Sequence, residues 1–459
     1  MVYDSSRIAE ILEFCNGRDF MSDTKPTLLA GPVRPALLAF AGPMILTMVA
    51  TQLYTVVDTM IIGLCLDANA LAAVSNASTA LLVFLFVSGG MELGGGLLLA
   101  AKRPTATPRE LSAVIYNLLF IDVVLGLIMT AGAFLGIEGL LRLIHTPAEI
   151  IPQAVTYSRF YLVGLPFLMV YDLSKQLIMG CGDSKTPLFA VLGTSVLNIL
   201  LDLALVGPFG VAGAAVATSF SQVVGFVFIL WYLHRTLLTE PFRFSMLDRR
   251  YALETFRLSA PNALQQASAP VGSMIKQGLL GGIGVAAIAG FSCASKISTL
   301  LLMPVAGSAQ ALVFFIAQNI AAGQPDRVRD GVRQARGMML IYGLTMSAGC
   351  ILLARPLMQL FTADASAIAY GALLLSRQSI VYTFTGMRHI QEAGLRGRQQ
   401  MGLYLVSNLG STAADLLACV ALVPLLGYSG FYFASFFSAP FGFLLATLCL
   451  WIGSRRAAV

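Results

Sequence analysis

Long apolar stretches alternate with short polar connections along almost the entire chain. A helix of at least about 17 to 25 apolar residues can cross the hydrocarbon core of a bilayer. Because each span must satisfy its own backbone hydrogen bonds in lipid, the pattern predicts an all-α polytopic membrane protein. Twelve transmembrane helices are expected, at residues 36–63, 70–100, 112–136, 151–181, 187–208, 210–234, 256–282, 286–321, 333–357, 366–394, 401–424 and 428–452.

Composition supports a membrane protein and limits its chemistry. Of the 459 residues, 57% are hydrophobic and only 11% are charged, whereas about 25% of an ordinary soluble domain is charged. The sequence contains no Walker A, HExxH or GxSxG motif, so neither ATP-driven transport nor hydrolysis is indicated. Its seven cysteines are scattered singly and are interpreted as apolar fillers. We therefore expect no enzyme activity and no cofactor.

Basic residues are concentrated in the connections that follow even-numbered spans. These are Lys102, Arg103, Arg109, Lys185, Arg235, Arg243, Arg249, Arg250, Arg257, Arg327, Arg329, Arg333, Arg336, Arg396 and Arg398. The odd-numbered connections hold few, chiefly Arg142 and Arg355. By the positive-inside rule, both termini are predicted to be cytoplasmic in a multi-pass protein of the cell membrane, the inner membrane if bacterial. The net charge of +6 then reflects topology, and no nucleic-acid partner is expected.

The sequence contains an internal repeat of a six-span unit. Ala41-Gly42-Pro43 aligns with Ser259-Ala260-Pro261, and Gly210-Val211-Ala212-Gly213 aligns with Gly427-Tyr428-Ser429-Gly430. An even repeat with the same sidedness predicts two lobes related by an axis along the membrane normal, with a site between them. The predicted domains are a cytoplasmic tail (1–34), an N-lobe (35–235), a linker (236–257), a C-lobe (258–453) and a second tail (454–459). Under this alignment Asp58 corresponds to Lys276.

Five acidic residues lie inside apolar segments of the first half: Asp58, Glu92, Asp122, Asp172 and Asp202. A charged side chain at the centre of a membrane helix costs about 2.5 to 3.5 kcal/mol on insertion scales. Such residues are therefore expected to be protonated, paired, bound to a cation, or placed along a water-filled cavity.

Polar residues form a stripe on each of two predicted helices. Thr194, Asn198 and Asp202 recur every four residues, and a row of threonines leads to Asp58 in span 1, so each set lies on one helix face. A carboxylate with amide and hydroxyl oxygens suits a hard cation such as Na+, and a buried carboxyl group can instead carry a proton. The pattern thus predicts a cation site but leaves the ion open.

Motifs along residues 35 to 450 resemble the multidrug and toxic compound extrusion (MATE) family of transporters. They are Tyr54-Thr55-Val56-Val57-Asp58 with Gly63, Leu71-Ala72-Ala73-Val74, Gly182-Asp183-Ser184-Lys185-Thr186-Pro187, Asn198-Ile199-Leu200-Leu201-Asp202, the segment 210–218 and Ala317-Gln318-Asn319-Ile320-Ala321-Ala322-Gly323 with Arg327. The resemblance implies two pseudo-symmetric six-helix lobes that form a V. It also implies export of a compound in exchange for H+ or Na+.

The resemblance assigns roles to individual residues. It implies a cation site at Asp58, Asn198 and Asp202, where Na+ would be the only metal, with help from Tyr157, Asp172 and Thr218. Asp172 departs from the asparagine expected there. The extra acid could add a proton, change the ion preference, or pair with Lys175 one turn on.

The leading hypothesis is a monomeric secondary antiporter that exports an amphipathic, cationic or aromatic small molecule through the lipid bilayer. We expect its cavity to be lined by Gln52, Tyr54, Lys276, Gln277, Phe384 and Arg388. Arg388 and Glu392 lie four residues apart, which favours a local salt bridge. Lys276 either neutralises an acid or binds an anionic group of the cargo. Two alternatives remain open: a flippase for a lipid-linked or polysaccharide precursor, and a membrane receptor or scaffold that transports nothing.

Overall fold

The computed structural model describes residues 28–456, and all its regular structure there is helical. Most of the predicted N-terminal tail, residues 1–27, lies outside the described part, as do residues 457–459. The α-helices are α1 Val33–Cys65, α2 Ala68–Lys102, α3 Pro108–Leu143, α4 Ile151–Gly180, α5 Lys185–Thr236, α6 Arg249–Gly281, α7 Val285–Ala321, α8 Pro325–Gln359, α9 Ala365–Gln378, α10 Tyr382–Gly397, α11 Met401–Leu426 and α12 Ser429–Arg456. Two short 3-10 helices cover Phe244–Met246 and Ser379–Val381.

Spans and helices coincide except in two places. The 52 residues of α5 contain both span 5 and span 6, because Gly210 interrupts the helix with φ 60° and ψ −140°. Span 10 is built from α9, the second 3-10 helix and α10 in succession. Twelve spans result, so the predicted fold class is confirmed.

Helix α6 is the least apolar of the long spans. Nine of the described helices are long and apolar enough to cross a membrane on length and composition alone, and α6 is not among them. It carries Asn262, Gln265 and Gln266 as well as two internal prolines. The helix begins at Arg249, inside the stretch predicted as a linker.

The two lobes meet through a symmetric pair of helix crossings. In the first, Gly90 of α2 lies so close to α6 that a Cβ atom there would be 2.8 Å from the backbone nitrogen of Ala263. In the second, a Cβ on Gly307 of α7 would be 2.6 Å from a side-chain carbon of Ile45 in α1. Gly307 is the repeat partner of Gly90, and Ala263 that of Ile45. The structure therefore reproduces the internal repeat in three dimensions.

The lobes are joined at one end and part towards the other. One buried core cluster includes residues of both lobes, whereas two further clusters belong to one lobe each. The shared cluster lies towards the basic end, which we define as the end that carries the connections after even-numbered spans. There the Gln318 side chain of α7 donates a hydrogen bond to the Gly180 carbonyl of α4 (2.6 Å), and Lys102 pairs with Glu254 (3.4 Å). The result is a V that opens away from the basic end.

Candidate functional site

Helices α1 and α5, which pack together in the N-lobe, bring Asp58, Asn198 and Asp202 into one site. Asn198 and Asp202 lie one turn apart on the same face of α5. The carboxyl groups of Asp58 and Asp202 lie within hydrogen-bonding reach of each other. The two polar stripes of the sequence therefore meet.

Four oxygen atoms at this site are buried without a hydrogen-bond partner. They are Oδ1 of Asp58, Oδ1 of Asn198 and both carboxyl oxygens of Asp202. Asp202 is fully buried, and Asn198 is only 2% exposed. Since buried polar atoms are nearly always paired in folded proteins, this group of acceptors calls for a ligand. Carboxylate and amide oxygens suit Na+, and a proton held between two carboxyl groups would also pair them.

Thr218 and Tyr157 surround this group of acceptors. The amide nitrogen of Asn198 donates to the hydroxyl of Thr218 (3.4 Å), which leaves the amide oxygen unpartnered for a cation. Tyr157 is 5% exposed, has Asp58 as an electrostatic neighbour, and stacks on Tyr161 with ring centroids 6.2 Å apart. Their direct part in cation binding stays a prediction.

The threonine stripe of α1 contributes no free hydroxyl to the site. Thr47, Thr51 and Thr55 each donate to the backbone carbonyl four residues earlier, at 2.8 to 2.9 Å. This local bond is a common way for threonine to satisfy its hydroxyl inside a membrane helix. In α1, the oxygen at the site that is buried without a hydrogen-bond partner is therefore Oδ1 of Asp58.

Asp172 is paired within its own helix. Its carboxylate lies 2.5 Å from Lys175, whose ammonium is 4.3 Å from the ring centroid of Tyr171. The ion pair with Lys175, one of the three consequences considered for this residue, is present in the structure. Glu92 of α2 is an electrostatic neighbour of the same lysine.

A cavity of about 330 Å³ lies between the lobes on the side of the basic end. The N-lobe contributes Glu92 and Lys175 to its wall, and the C-lobe contributes His389, Glu392 and Arg396. Acidic and basic groups therefore face the same space. The sequence analysis named Glu92 among five intramembrane acids without choosing a role for it, and the structure places it on the cavity wall.

The six residues predicted to contact cargo lie outside the wall of this cavity. They are Gln52, Tyr54, Lys276, Gln277, Phe384 and Arg388. Arg388 lies directly behind the wall, because it donates to Glu392 at 2.8 Å, as the local salt bridge predicted. Lys276 pairs with Asp415 at 2.5 Å. A role for these residues in binding cargo stays a prediction.

Asp415 was missed at the level of the sequence. It lies in the apolar helix α11 and is both the partner of Lys276 and an acceptor for Ser438. The signal that could have found it is the internal repeat. In the alignment of the two halves, Asp415 corresponds to Asn198 just as Lys276 corresponds to Asp58.

Comparison with known proteins shows similarity over most of the chain. The family model MatE matches residues 43–204 and 261–420. The probable multidrug resistance protein YpnP of Bacillus subtilis is 26% identical over 83% of this chain and 86% of its own. The FAD transporter of Shewanella oneidensis is 24% identical over 86% of this chain and 89% of its own. A crystal structure of the Vibrio cholerae MATE transporter VcmN superposes with a TM-score of 0.88 at 18% identity, covering 92% of this chain and 97% of that one.

Proposed function

Because the chain belongs to the multidrug and toxic compound extrusion family of membrane transporters, we propose that it is a secondary antiporter. In this proposal it exports amphipathic, cationic or aromatic compounds in exchange for H+ or Na+. It acts as a monomer in the cell membrane with both termini in the cytoplasm.

The observation that carries the proposal is the group of four unpartnered oxygens on Asp58, Asn198 and Asp202. Two carboxyl groups in contact repel each other when both are ionised, and this repulsion favours the uptake of a cation between them. An entering Na+ or proton would draw α1 and α5 together. Since α1 also packs on α7 of the other lobe, this local change can alter how the lobes meet.

The interlobe cavity supports a cargo of mixed character. Its wall combines the carboxylate of Glu92 with the ring of Tyr404, and a cationic aromatic compound can contact both. Two wall cations already have partners, since Lys175 pairs with Asp172 and Arg396 donates to Gln310 at 2.9 Å. This distribution favours the antiporter over a flippase, because a flippase for an anionic lipid-linked precursor would need a strongly basic cavity.

Transport by purified protein in liposomes tests the proposal. A fluorescent cationic dye is loaded, and its efflux is followed under an imposed pH gradient and, separately, under a Na+ gradient. We expect one gradient to drive efflux in the wild type and neither to do so in Asp58→Asn. Gradient-independent efflux, or full efflux in the variant, would contradict the assignment.

A further inference from the structure

The internal repeat gives the cation site of the N-lobe a counterpart in the C-lobe. Lys276 corresponds to Asp58, Asp415 to Asn198, and Cys419 to Asp202. Both the sequence positions and the packing of the helices support this correspondence, because α6 packs on α11 in the C-lobe as α1 packs on α5 in the N-lobe.

The register of the correspondence is fixed by the backbone on both sides of the site. Gly427 follows α11 with φ 59° and ψ −139°, which matches the φ 60° and ψ −140° of Gly210 in α5. The same alignment of the two halves also relates two close helix contacts, one in each lobe. A Cβ on Gly225 would be 2.7 Å from the Thr194 side chain, and one on its counterpart Gly442 would be 2.8 Å from the side chain of Ser411. Ser411 is in turn the counterpart of Thr194.

In the C-lobe, an ammonium group of the protein itself pairs with the carboxylate of the corresponding site, whereas the oxygens of the N-lobe site have no partner. The ammonium of Lys276 lies 2.5 Å from Oδ2 of Asp415, and the hydroxyl of Ser438 donates to Oδ1 of the same carboxylate at 2.9 Å. Cys419 is 1% exposed and is an electrostatic neighbour of Lys276. Both oxygens of Asp415 are therefore satisfied from within the protein.

The two sites also differ in formal charge. Asp58 and Asp202 give the N-lobe site two negative charges when both are ionised, so that it attracts a cation. Lys276 and Asp415 cancel each other, and Cys419 adds no charge as a thiol. The C-lobe site thus has the charge state that the N-lobe site reaches only after cations have bound.

We infer that the C-lobe retains a cation site whose permanent occupant is the ammonium group of Lys276. The lysine side chain holds α6 against α11 throughout the transport cycle, whereas the N-lobe site alternates between empty and occupied. Removal of the tethered ammonium should therefore create a site for a small monovalent cation beside Asp415. The comparison with the N-lobe rests on the proposed function, but the pairing of Lys276 with Asp415 does not.

The test uses the full-length protein with its N-lobe site disabled by Asp58→Asn and Asp202→Asn. In this background, binding of 22Na+ is measured over a range of pH with and without Lys276→Met. Proton uptake alone does not count, because any carboxyl group that loses its lysine partner tends to take up a proton. We expect the added substitution to gain about one Na+ per chain at alkaline pH and to make thermal stability rise with Na+. Lys276→Arg is the matched control, because it keeps a tethered cation and should gain none.

A purely structural ion pair gives a different result. Lys276→Met would then lower the unfolding temperature and bind no Na+ at any pH, and this outcome would overturn the inference. If Lys276→Met fails to fold, Lys276→Gln removes the charge but keeps a hydrogen-bond donor for Asp415, and the same measurement of 22Na+ binding decides. Failure of the proposed function would appear separately, as wild-type efflux that neither gradient drives.

Discussion

The substitution Asp202→Asn tests whether the carboxylate of Asp202 serves cation binding or the stability of the fold. Asp202→Asn preserves shape and removes one negative charge from a fully buried position. A cation about 4 Å from a carboxylate gains about 4 kcal/mol at an effective dielectric constant near 20. Since about 1.4 kcal/mol corresponds to a factor of ten, cation affinity should fall roughly 1,000-fold.

Folding stability should respond in the opposite direction. Neither carboxyl oxygen of Asp202 accepts a hydrogen bond, so the amide loses no existing interaction. It also removes a buried negative charge next to Asp58. Leaving a buried polar group unsatisfied typically costs about 1 to 3 kcal/mol of stability, and the cost is larger for a charged group. We therefore expect the unfolding temperature of Asp202→Asn to stay level or to rise.

The assay combines both readouts on the same purified samples. Gradient-driven dye efflux from liposomes reports coupling, and thermal unfolding in detergent reports stability. Glu138→Gln serves as the matched control, because it also removes a carboxylate but from an exposed pair with Arg142. Retained coupling in Asp202→Asn, or a marked loss of its stability, would refute the reasoning.

Three further substitutions test the fold and the closed end of the V. Gly90→Ala should destabilise the protein by about 1 to 3 kcal/mol in thermal unfolding because its methyl group meets α6, whereas Gly132→Ala, with open space around it, should not. Gly210→Ala should cost about 1 to 3 kcal/mol in the same assay because its φ of 60° disfavours a side chain. Gln318→Ala removes the hydrogen bond to Gly180, worth about 1 kcal/mol, and should speed deuterium exchange at the end of α4 up to about fivefold. Equal unfolding temperatures for the Gly90 and Gly132 variants, or unchanged exchange at α4, would contradict these assignments.

Apolar run length predicted the spans well, because a helix in lipid has to cover a fixed thickness. It did not reveal that span 10 consists of two short helices joined by a 3-10 turn at Ser379–Val381, since the apolar pattern continues through the junction. It also assigned residues 249–255 to the linker, whereas α6 already begins at Arg249. Helix breaks of this kind depend on packing between spans rather than on composition.

The candidate site was predictable where helical spacing and the family pattern agreed, as at Asp58, Asn198 and Asp202. Spacing alone suggested that the threonines of α1 share the site, but each hydroxyl is used by the backbone carbonyl of the preceding turn. The partner of Lys276 was not identified, because Asp415 lies far away in the sequence. Only the fold brings the two helices together.

The two glycine crossings also bear on how the molecule can move. At each crossing, α2 on α6 and α7 on α1, a glycine lets the facing helix approach closely. If the protein is the antiporter proposed above, we expect the two crossings to act as a common pivot, because one pseudo-two-fold axis relates them. Rocking about that pivot would widen one mouth of the V and narrow the opposite mouth.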